Sequence, residues 1–388
     1  MDIEQESPPK KKPRLVGPPR ILADTIPLIC GCRSVKDYRK LNKISEGTYG
    51  AVYRALHLTT NRVVALKQVK FHSRLWSEGF PICYLREISC LLELKHDNIC
   101  RVDEVVIGEE SFSLFMVMEY VEHELKVLLE TNKPEFSLSE RKGLTKQLLE
   151  AVKYMHANWV MHRDLKTSNL LYSNTGKLLV CDFGMARKHG EFRIPYSQNV
   201  VTTWYRAPEG LLGLKQYDEK IDVWSVGCIL GEILLGKPLF NGKNELEVIN
   251  KIFRLVGTPT PEDFKEMYRS PLITKGIVVV KGPTQSTWRE TFLPPTAGHS
   301  NPTRSLSSAG IDLLSKLLQP DASKRISAAE ALEHEYFTSD RPAPQKTQFM
   351  PSVPETNAML RKHLKTTPGD ANRVNADVYL QKLEESRK

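Results

Sequence analysis

Apolar and polar positions alternate with period two in "YRKLNKI", "AVYRALHL" and "RVVALKQV". Gly, Asn and Thr separate these runs, which predicts strands joined by turns. "VDEVVIG" and "SLFMVMEYV" supply two further strands. Between the two sets lies "PICYLREISCLLEL", residues 81–94, with helical spacing. Pro81 suits a first helical position, where its missing N–H costs nothing. After about residue 122 the period lengthens. "LSERKGLTKQLLEAVKYMHAN", "DEKIDVWSVGCILGEILLG", "NELEVINKIFRLVG", "SSAGIDLLSKLLQ" and "SAAEALEHEYF" all read as helices. The pattern predicts an α+β protein in which a small strand-rich lobe precedes a larger helical one. No internal repeat is visible.

Outside this region the periodicity fades. Residues 1–37 carry many prolines and read as a flexible tail. A Pro-, Ser- and Thr-rich stretch near 283–303 reads as a long surface loop. Residues 338–388 read as a second tail, with a short helix in "NADVYLQKLEES".

The helix at 81–94 has one anomaly. At about 100° per residue, Arg86, Ser89 and Glu93 share a narrow polar strip. Glu87 falls on the other side, between Cys83, Cys90, Leu91 and Leu94. A buried carboxylate must be paired or neutralised, so this helix predicts a cationic partner for Glu87.

Composition narrows the class. The chain has 388 residues, a net charge of +9 and seven cysteines. That length suits one large domain or two lobes. No apolar run approaches the ~20 residues that cross a bilayer. The start, "MDIEQESPPKKKPRL", lacks the apolar core of a secretory signal. Only Cys30 and Cys32 are close in sequence, and reduced thiols in an intracellular protein account best for the set. The positive charge invites polyanions. No aromatic-basic motif accompanies it, and direct nucleic-acid binding is not expected. The run "PPKKKPRLV", Pro8–Val16, resembles a short nuclear import signal; a solvated basic tail is the alternative.

Four segments carry candidate chemistry. In "ISEGTYGAV", Gly47 and Gly50 let the backbone approach a phosphate closely, although a plain hairpin turn explains the pair about as well. In "VVALK", Ala65 and Lys67 share one strand face, which sets an ammonium on an apolar surface. "HRDLKTSNLL" combines Asp164, Lys166 and Asn169: a base, a cation and a metal ligand. "CDFG" places Asp182 on a Gly-ended turn after an apolar strand. Each is weak alone. Their order along the chain, with Glu87 between and "APE" (Ala207–Glu209) after, is not a coincidence.

With these motifs residues 38–337 resemble a protein kinase domain. "EGTYG", "LREI", "HRDLK", "WYRAPE", "DVWSVGCIL" and "KRISAAEAL" are similar to the cyclin-dependent kinases. "GFPICYLREI", "YVEHELK" and "HRDLKTSNLL" most resemble the PITSLRE branch, and "CRSVKDYRKLNKI" also resembles the PISSLRE branch. The resemblance implies a bilobal fold, with an N-lobe at 38–121 and a C-lobe at 122–337. It implies ATP and Mg²⁺ as cofactors and a Ser/Thr kinase activity, the latter indicated by Lys166. Lys67 is expected to hold the α- and β-phosphates, and Glu87 to orient Lys67. Asp182 and Asn169 are expected to bind Mg²⁺, and Asp164 to accept or orient the proton of the substrate hydroxyl. Ile44, Ser45, Gly47 and Gly50 would form the loop over the nucleotide. Val52, Ala65 and Leu171 would enclose adenine, with Met118 behind it. The backbone of Glu119 and Val121 would bond the adenine edge.

The resemblance also implies regulation. Arg86, Arg163 and Arg187 are expected to converge, and three guanidinium groups together call for a dianion. A phosphate on Ser197 would supply it; a Glu or another anion is the alternative. Thr48 and Tyr49, on the Gly loop, are candidate inhibitory phosphorylation sites. A cyclin is expected on the 81–94 helix, covering its outer side and closing the Lys67–Glu87 pair. The backbone at Val200 and Val201 implies substrates with Ser/Thr-Pro. Thr202 is expected to hydrogen-bond near Asp164 and Lys166, Glu209 to pair with Arg325, and Asp222 to cap the catalytic loop. Ser45, Gln198, Thr203 and Gly210 depart from the usual family residues, and none belongs to the catalytic set. A kinase-shaped scaffold and a cyclin-independent kinase remain as alternative readings.

Overall fold

The computed structural model describes residues 31–47, 50–69, 82–108, 113–132, 136–188, 202–214, 217–276, 278, 282–292, 305–346 and 355–357. Six strands form the first lobe's sheet: β1 (Arg33–Ser34), β2 (Tyr38–Gly47), β3 (Gly50–His57), β4 (Val63–Val69), β5 (Val102–Ile107) and β6 (Leu114–Glu119). Their order is β1-β5-β6-β4-β3-β2. All neighbours are antiparallel except β1 with β5.

The period-two pattern sorts β4 into two faces. Val64 and Leu66 join Tyr38, Ala55, Val106, Phe115 and Val117 in a small cluster on one face. Val69 joins Met116 and Met118 in the main core on the other, with Ala65 packed against it. Lys67 lies between Ala65 and Val69 on that inner face, beside Met116 in register.

The helix α1 (Ile82–Glu93) crosses this inner face and packs on the turn Phe183–Met185. Tyr84, Glu87, Cys90 and Leu91 are buried. Ser89 and Glu93 are exposed, as the helical wheel requires. Leu92 is 49% exposed on the outer side.

The second lobe is built on α2 (Leu138–Ala157) and α3 (Lys220–Leu235). Ser137 and Glu140 form a reciprocal capping box that satisfies two orphan N–H groups at the start of α2. From Ile221 to Leu234 every residue of α3 is buried, so this helix is apolar almost all round. The helices α4 (Glu245–Val256) and α5 (Ser308–Leu317) complete the body with several single turns of helix. Short strands lie at the lobe junction: β7 (His123–Glu124), β8 (Val160–Met161), β9 (Leu170–Tyr172), β10 (Leu178–Val180) and β11 (Arg187–Lys188). They pair as β10-β9-β7 and β11-β8. These strands flank the loop 162–169 and fix Asp182.

Three expectations need correction. The N-terminal tail does not run to residue 37. Arg33 pairs with Val106, and Val35–Asp37 form a helical turn capped by Ser34. A two-residue strand has no period to detect, and its partner lies far along the chain. The 283–303 loop contains a short helix, Trp288–Phe292, with both terminal aromatics buried. The C-terminal tail is partly fixed, because residues 340–346 and 355–357 bond to the body. The basic run at 8–16 and "NADVYLQKLEES" lie outside the described residues. Among the described residues no helix is long and apolar enough to cross a membrane.

Candidate active site

Lys67 Nζ lies 2.5 Å from Glu87 Oε1 and 2.8 Å from Asp182 Oδ1. The cationic partner called for by the wheel position of Glu87 is therefore Lys67, on a strand 20 residues earlier. Burial alone would lower the Lys67 pKa, but the charges of Asp182 and Glu87 outweigh it and raise it. Burial pushes the Glu87 carboxyl up, and the Lys67 ammonium opposes that rise. The same ammonium holds Asp182 at about 2 against burial. Lys67 is thus a fixed cation at any working pH.

Asp182 sits in the left-handed region, at φ 64°, just before the turn Phe183–Met185. Such a conformation in a non-glycine residue costs roughly 1 kcal/mol or more and persists only where its surroundings enforce it. The enforcement is visible. Phe183 is fully buried and meets the His162 ring edge-on at 4.8 Å. His162 Nε2 lies 3.1 Å from the Cys181 carbonyl oxygen.

The loop 162–169 is held from below. Both oxygens of the buried Asp222 carboxylate accept from the loop: Oδ2 from His162 N and Oδ1 from Arg163 N, each at 2.8 Å. This is the cap expected of Asp222. Above it, Lys166 Nζ lies 2.8 Å from Asp164 Oδ2. Asn169 Nδ2 donates to the Asp164 carbonyl at 2.8 Å and to Asp164 Oδ2 at 3.1 Å. The base, cation and amide singled out by sequence spacing therefore form one hydrogen-bonded unit. Thr202 departs from expectation. It lines a cleft with Arg163, Asp164, Tyr205 and Arg206 but bonds neither Asp164 nor Lys166, which bond each other instead.

The donor set fits a hard divalent cation. The Asn169 amide nitrogen is committed to Asp164, which leaves its oxygen as the remaining ligand atom. Asp182 is ionised, and its side chain is 38% exposed. Among the described residues no group of three or more His, Cys, Asp or Glu could hold a metal alone. Two protein oxygens completed by phosphate and water is the way Mg²⁺ is commonly bound.

The nucleotide-site candidates occupy one region of the first lobe and the junction. Gly47 and Gly50 are register partners at the β2–β3 hairpin end, and Thr48 and Tyr49 between them lie outside the described residues. Ile44 and Ser45 lie on β2, and Val52 on β3. Ala65 on β4 pairs with Met118 on β6. Ala65 and Leu171 both pack against the main core. Glu119 ends β6 with its side chain accepting from Arg101 N at 2.9 Å, and Val121 is buried.

The elements bearing Arg86, Arg163 and Arg187 meet. Arg187 pairs with Met161, and Arg163 Nη1 donates to the Met185 carbonyl at 3.3 Å. The helix α1, which carries Arg86, packs on that same 183–185 turn. Ser197, Gln198, Val200 and Val201 lie outside the described residues.

Two structural pairs complete the site. Arg325 forms a bidentate pair with Glu209 at 2.8 and 3.0 Å, as expected, and its guanidinium stands 5.1 Å from the Trp224 ring. The second was missed from sequence. Glu232, buried in α3, accepts from Tyr205 at 2.5 Å and from Thr167 at 3.1 Å. It links the catalytic loop to "WYRAPE". Burial pushes Glu232 up to about 7, opposed by these hydrogen bonds. Its signal was the same as that of Glu87: a carboxylate in an apolar helix.

Residues 38–337 match the protein kinase domain family. The chain belongs to the protein kinase family. It is 49% identical to Cyclin-dependent kinase G-2 of Oryza sativa over 93% of this chain and 49% of the relative. It is 44% identical to Cyclin-dependent kinase 11B of Homo sapiens, over 88% of this chain and 41% of the relative. It is also 44% identical to Serine/threonine-protein kinase ppk23 of Schizosaccharomyces pombe, over 86% and 80% respectively. The kinase chain thus spans about half or less of the length of the cyclin-dependent kinases named here. Among solved structures it is similar to the yeast RNA Pol II CTD kinase CTDK-1 complex, with a TM-score of 0.68 and 35% identity. That match covers 81% of this chain and 96% of the other. The sequence resemblance to the cyclin-dependent kinases and the bilobal kinase fold are both borne out.

Proposed function

We propose that this chain is a cyclin-dependent serine/threonine kinase that transfers the γ-phosphate of ATP to a Ser or Thr hydroxyl, preferring targets followed by Pro. The observation that carries the reading is the pairing of Lys67 with both Glu87 and Asp182, beside the Asp164–Lys166–Asn169 unit. Phosphoryl transfer needs positioning and charge neutralisation more than covalent help. Mg²⁺, when bound, neutralises phosphate charge. Lys67 would hold the α- and β-phosphates, and Asp182 and Asn169 would supply the metal's protein oxygens. Asp164 accepts the proton of the attacking hydroxyl, and Lys166 steadies both Asp164 and the transferred group.

The outer strip of α1, Leu85, Ser89 and Leu92, suits a cyclin, because an exposed leucine beside a half-buried one is apolar surface for a partner to cover. Phosphorylation of Ser197 would add a dianion near Arg86, Arg163 and Arg187. A nuclear location follows from "PPKKKPRLV". Roles in transcription, pre-mRNA splicing or cell-cycle control follow from the resemblance to the PITSLRE branch. The test is affinity purification of the chain with its partners, then a ³²P-transfer assay. Asp164→Asn is expected to abolish transfer while nucleotide binding persists. Undiminished transfer would refute the mechanism.

A further inference from the structure

The segment Glu355–Asn357 lies against the connection between the lobes and contacts each of its residues from Tyr120 to Glu124. Asn357 Nδ2 donates to the Val121 carbonyl at 2.8 Å, and Asn357 N donates to the Glu122 carbonyl at 3.0 Å. Thr356 N meets His123 Nδ1 at 3.4 Å, and Thr356 Oγ1 accepts from Glu124 N at 3.1 Å. Glu355 accepts from the Tyr120 hydroxyl at 3.1 Å. Thr356 and Asn357 are buried, although they follow the kinase domain by nearly 20 residues.

The segment also grips the sheet. Asn42 Nδ2 donates to the Asn357 carbonyl at 3.1 Å. Asn42 stands at a register shift in the β2–β3 pairing, two residues before Ile44. Such an irregularity re-aims a side chain, and here it is the one that bonds Asn357. One residue thus joins the strand that leads into the Gly loop to the backbone expected to meet the adenine edge.

An earlier part of the same tail is anchored on α2. Ser139 donates to the Ala343 carbonyl, and Gln345 N donates to the Ser139 carbonyl at 3.0 Å. A Cβ added at Gly143 would lie 1.8 Å from the Gln345 carbonyl oxygen, so this helical glycine makes room for the tail backbone. Lys142 Nζ pairs with Asp340 at 2.6 Å.

We infer that Asn357 is a positioning residue of the nucleotide site. It fixes the spacing between β2 and the Val121–Glu122 backbone, and it takes up the Val121 carbonyl. The inference rests on the kinase reading above. An amide suits the position because it donates to one carbonyl with its side chain while its backbone donates to the next and accepts from Asn42. An aspartate there would face the Val121 carbonyl with a second acceptor.

The test titrates the full 388-residue chain with MgATP bearing a fluorescent label. Hydrogen exchange at residues 120–124 is followed in parallel. Asn357→Ala is expected to weaken nucleotide binding about three- to tenfold, the loss of the one hydrogen bond its side chain makes, and Asn357→Asp to weaken it further. In the partner-bound enzyme KM for ATP rises while kcat stays within about twofold. Thr356→Ala speeds exchange of the Glu124 amide. Asn42→Ala, which cuts the tie from the β2 side, shifts nucleotide affinity in the same direction. Lys346→Ala, exposed in the same tail, leaves affinity at the wild-type value. Equal affinity in wild type and both Asn357 variants overturns the inference. So does a loss accompanied by an equal fall in kcat and a lowered melting temperature, which is the mark of general destabilisation. A wild-type chain that binds no MgATP overturns the kinase reading itself, and the inference with it.

Discussion

Glu87 and Lys67 form a buried ion pair at 2.5 Å that joins the helix α1 to strand β4 across the inner face of the sheet. The pair has a third member, since Asp182 lies 2.8 Å from the same ammonium on its other side. Two carboxylates from different elements thus hold one cation, so displacement of either element leaves a buried charge less satisfied.

Glu87→Gln should therefore affect both stability and chemistry. It leaves Asp182 as the carboxylate on Lys67 and frees Lys67 to swing toward it. Leaving a buried charge wholly uncompensated costs about 3–5 kcal/mol, and the retained Asp182 and amide acceptor keep the loss below that. Phosphoryl transfer should fall by roughly 100-fold or more, as expected when a positioning contact is lost. Thermal unfolding and kcat/KM, measured on the same preparation, check both effects.

Arg325 and Glu209 offer a purely structural counterpart. Both are buried, and the pair lies away from the catalytic unit. Glu209→Ala should lower stability by about 3–5 kcal/mol, because Arg325 is left buried without its carboxylate. The double change Glu209→Leu with Arg325→Met should recover much of that loss. Denaturant unfolding of wild type and the two variants decides the point.

Glu232 predicts a pH dependence. Its folded pKa is raised to about 7 from an ordinary 4.5. A raised carboxyl binds its proton more tightly when folded, so its effect on stability is most favourable below pH 4.5. That advantage is lost as pH rises to 7, by up to about 3 kcal/mol. Glu232→Gln keeps one acceptor oxygen, turns the other position into an NH₂ that can donate to a hydroxyl, and cannot ionise. The stability difference between wild type and variant should therefore change steadily between pH 4.5 and 7, and stay flat above. Melting temperatures at pH 5, 6, 7 and 8 test this.

Asp182 runs the other way. Its folded pKa is about 2, below the ordinary 3.8. The stability it adds is present above pH 3.8 and disappears as pH falls through 2. Asp182→Asn should flatten the acid limb of the unfolding curve in that window, as read by circular dichroism.

Gly143→Ala separates helix propensity from tail docking. Propensity alone would favour Ala in a helix by about 1 kcal/mol. The clash with the Gln345 backbone should displace residues 343–345 instead. Faster proteolytic cutting near residue 345, with no gain in melting temperature, is the expected outcome.

Much of the site was legible in the sequence for a specific reason. Glu87 broke the amphipathic pattern of its own helix, and Asp164, Lys166 and Asn169 lie within one short loop. Glu232 broke the pattern of α3 in the same way, yet its partners, Thr167 and Tyr205, are 65 and 27 residues away. Nothing local ties the three together. The strand at Arg33–Ser34 and the docked residues 355–357 were illegible for a related reason. The strand is only two residues long, and residues 355–357 belong to no helix or strand, so neither carries a periodicity.

The sequence by itself determined the alternation that puts Lys67 on the inner face, the helix that turns Glu87 inward, and the order of the motifs that mark a kinase. These are local properties, set by periods of 2 and 3.6 and by side chains close along the chain. Only the tertiary structure decided which charge answers which. It brought Lys67 to both Glu87 and Asp182, set Asp222 under the catalytic loop, and laid Asn357 across the connection between the lobes. Those contacts span 20 to more than 300 residues. Their existence depends on how whole elements pack, and no short window of sequence contains that information.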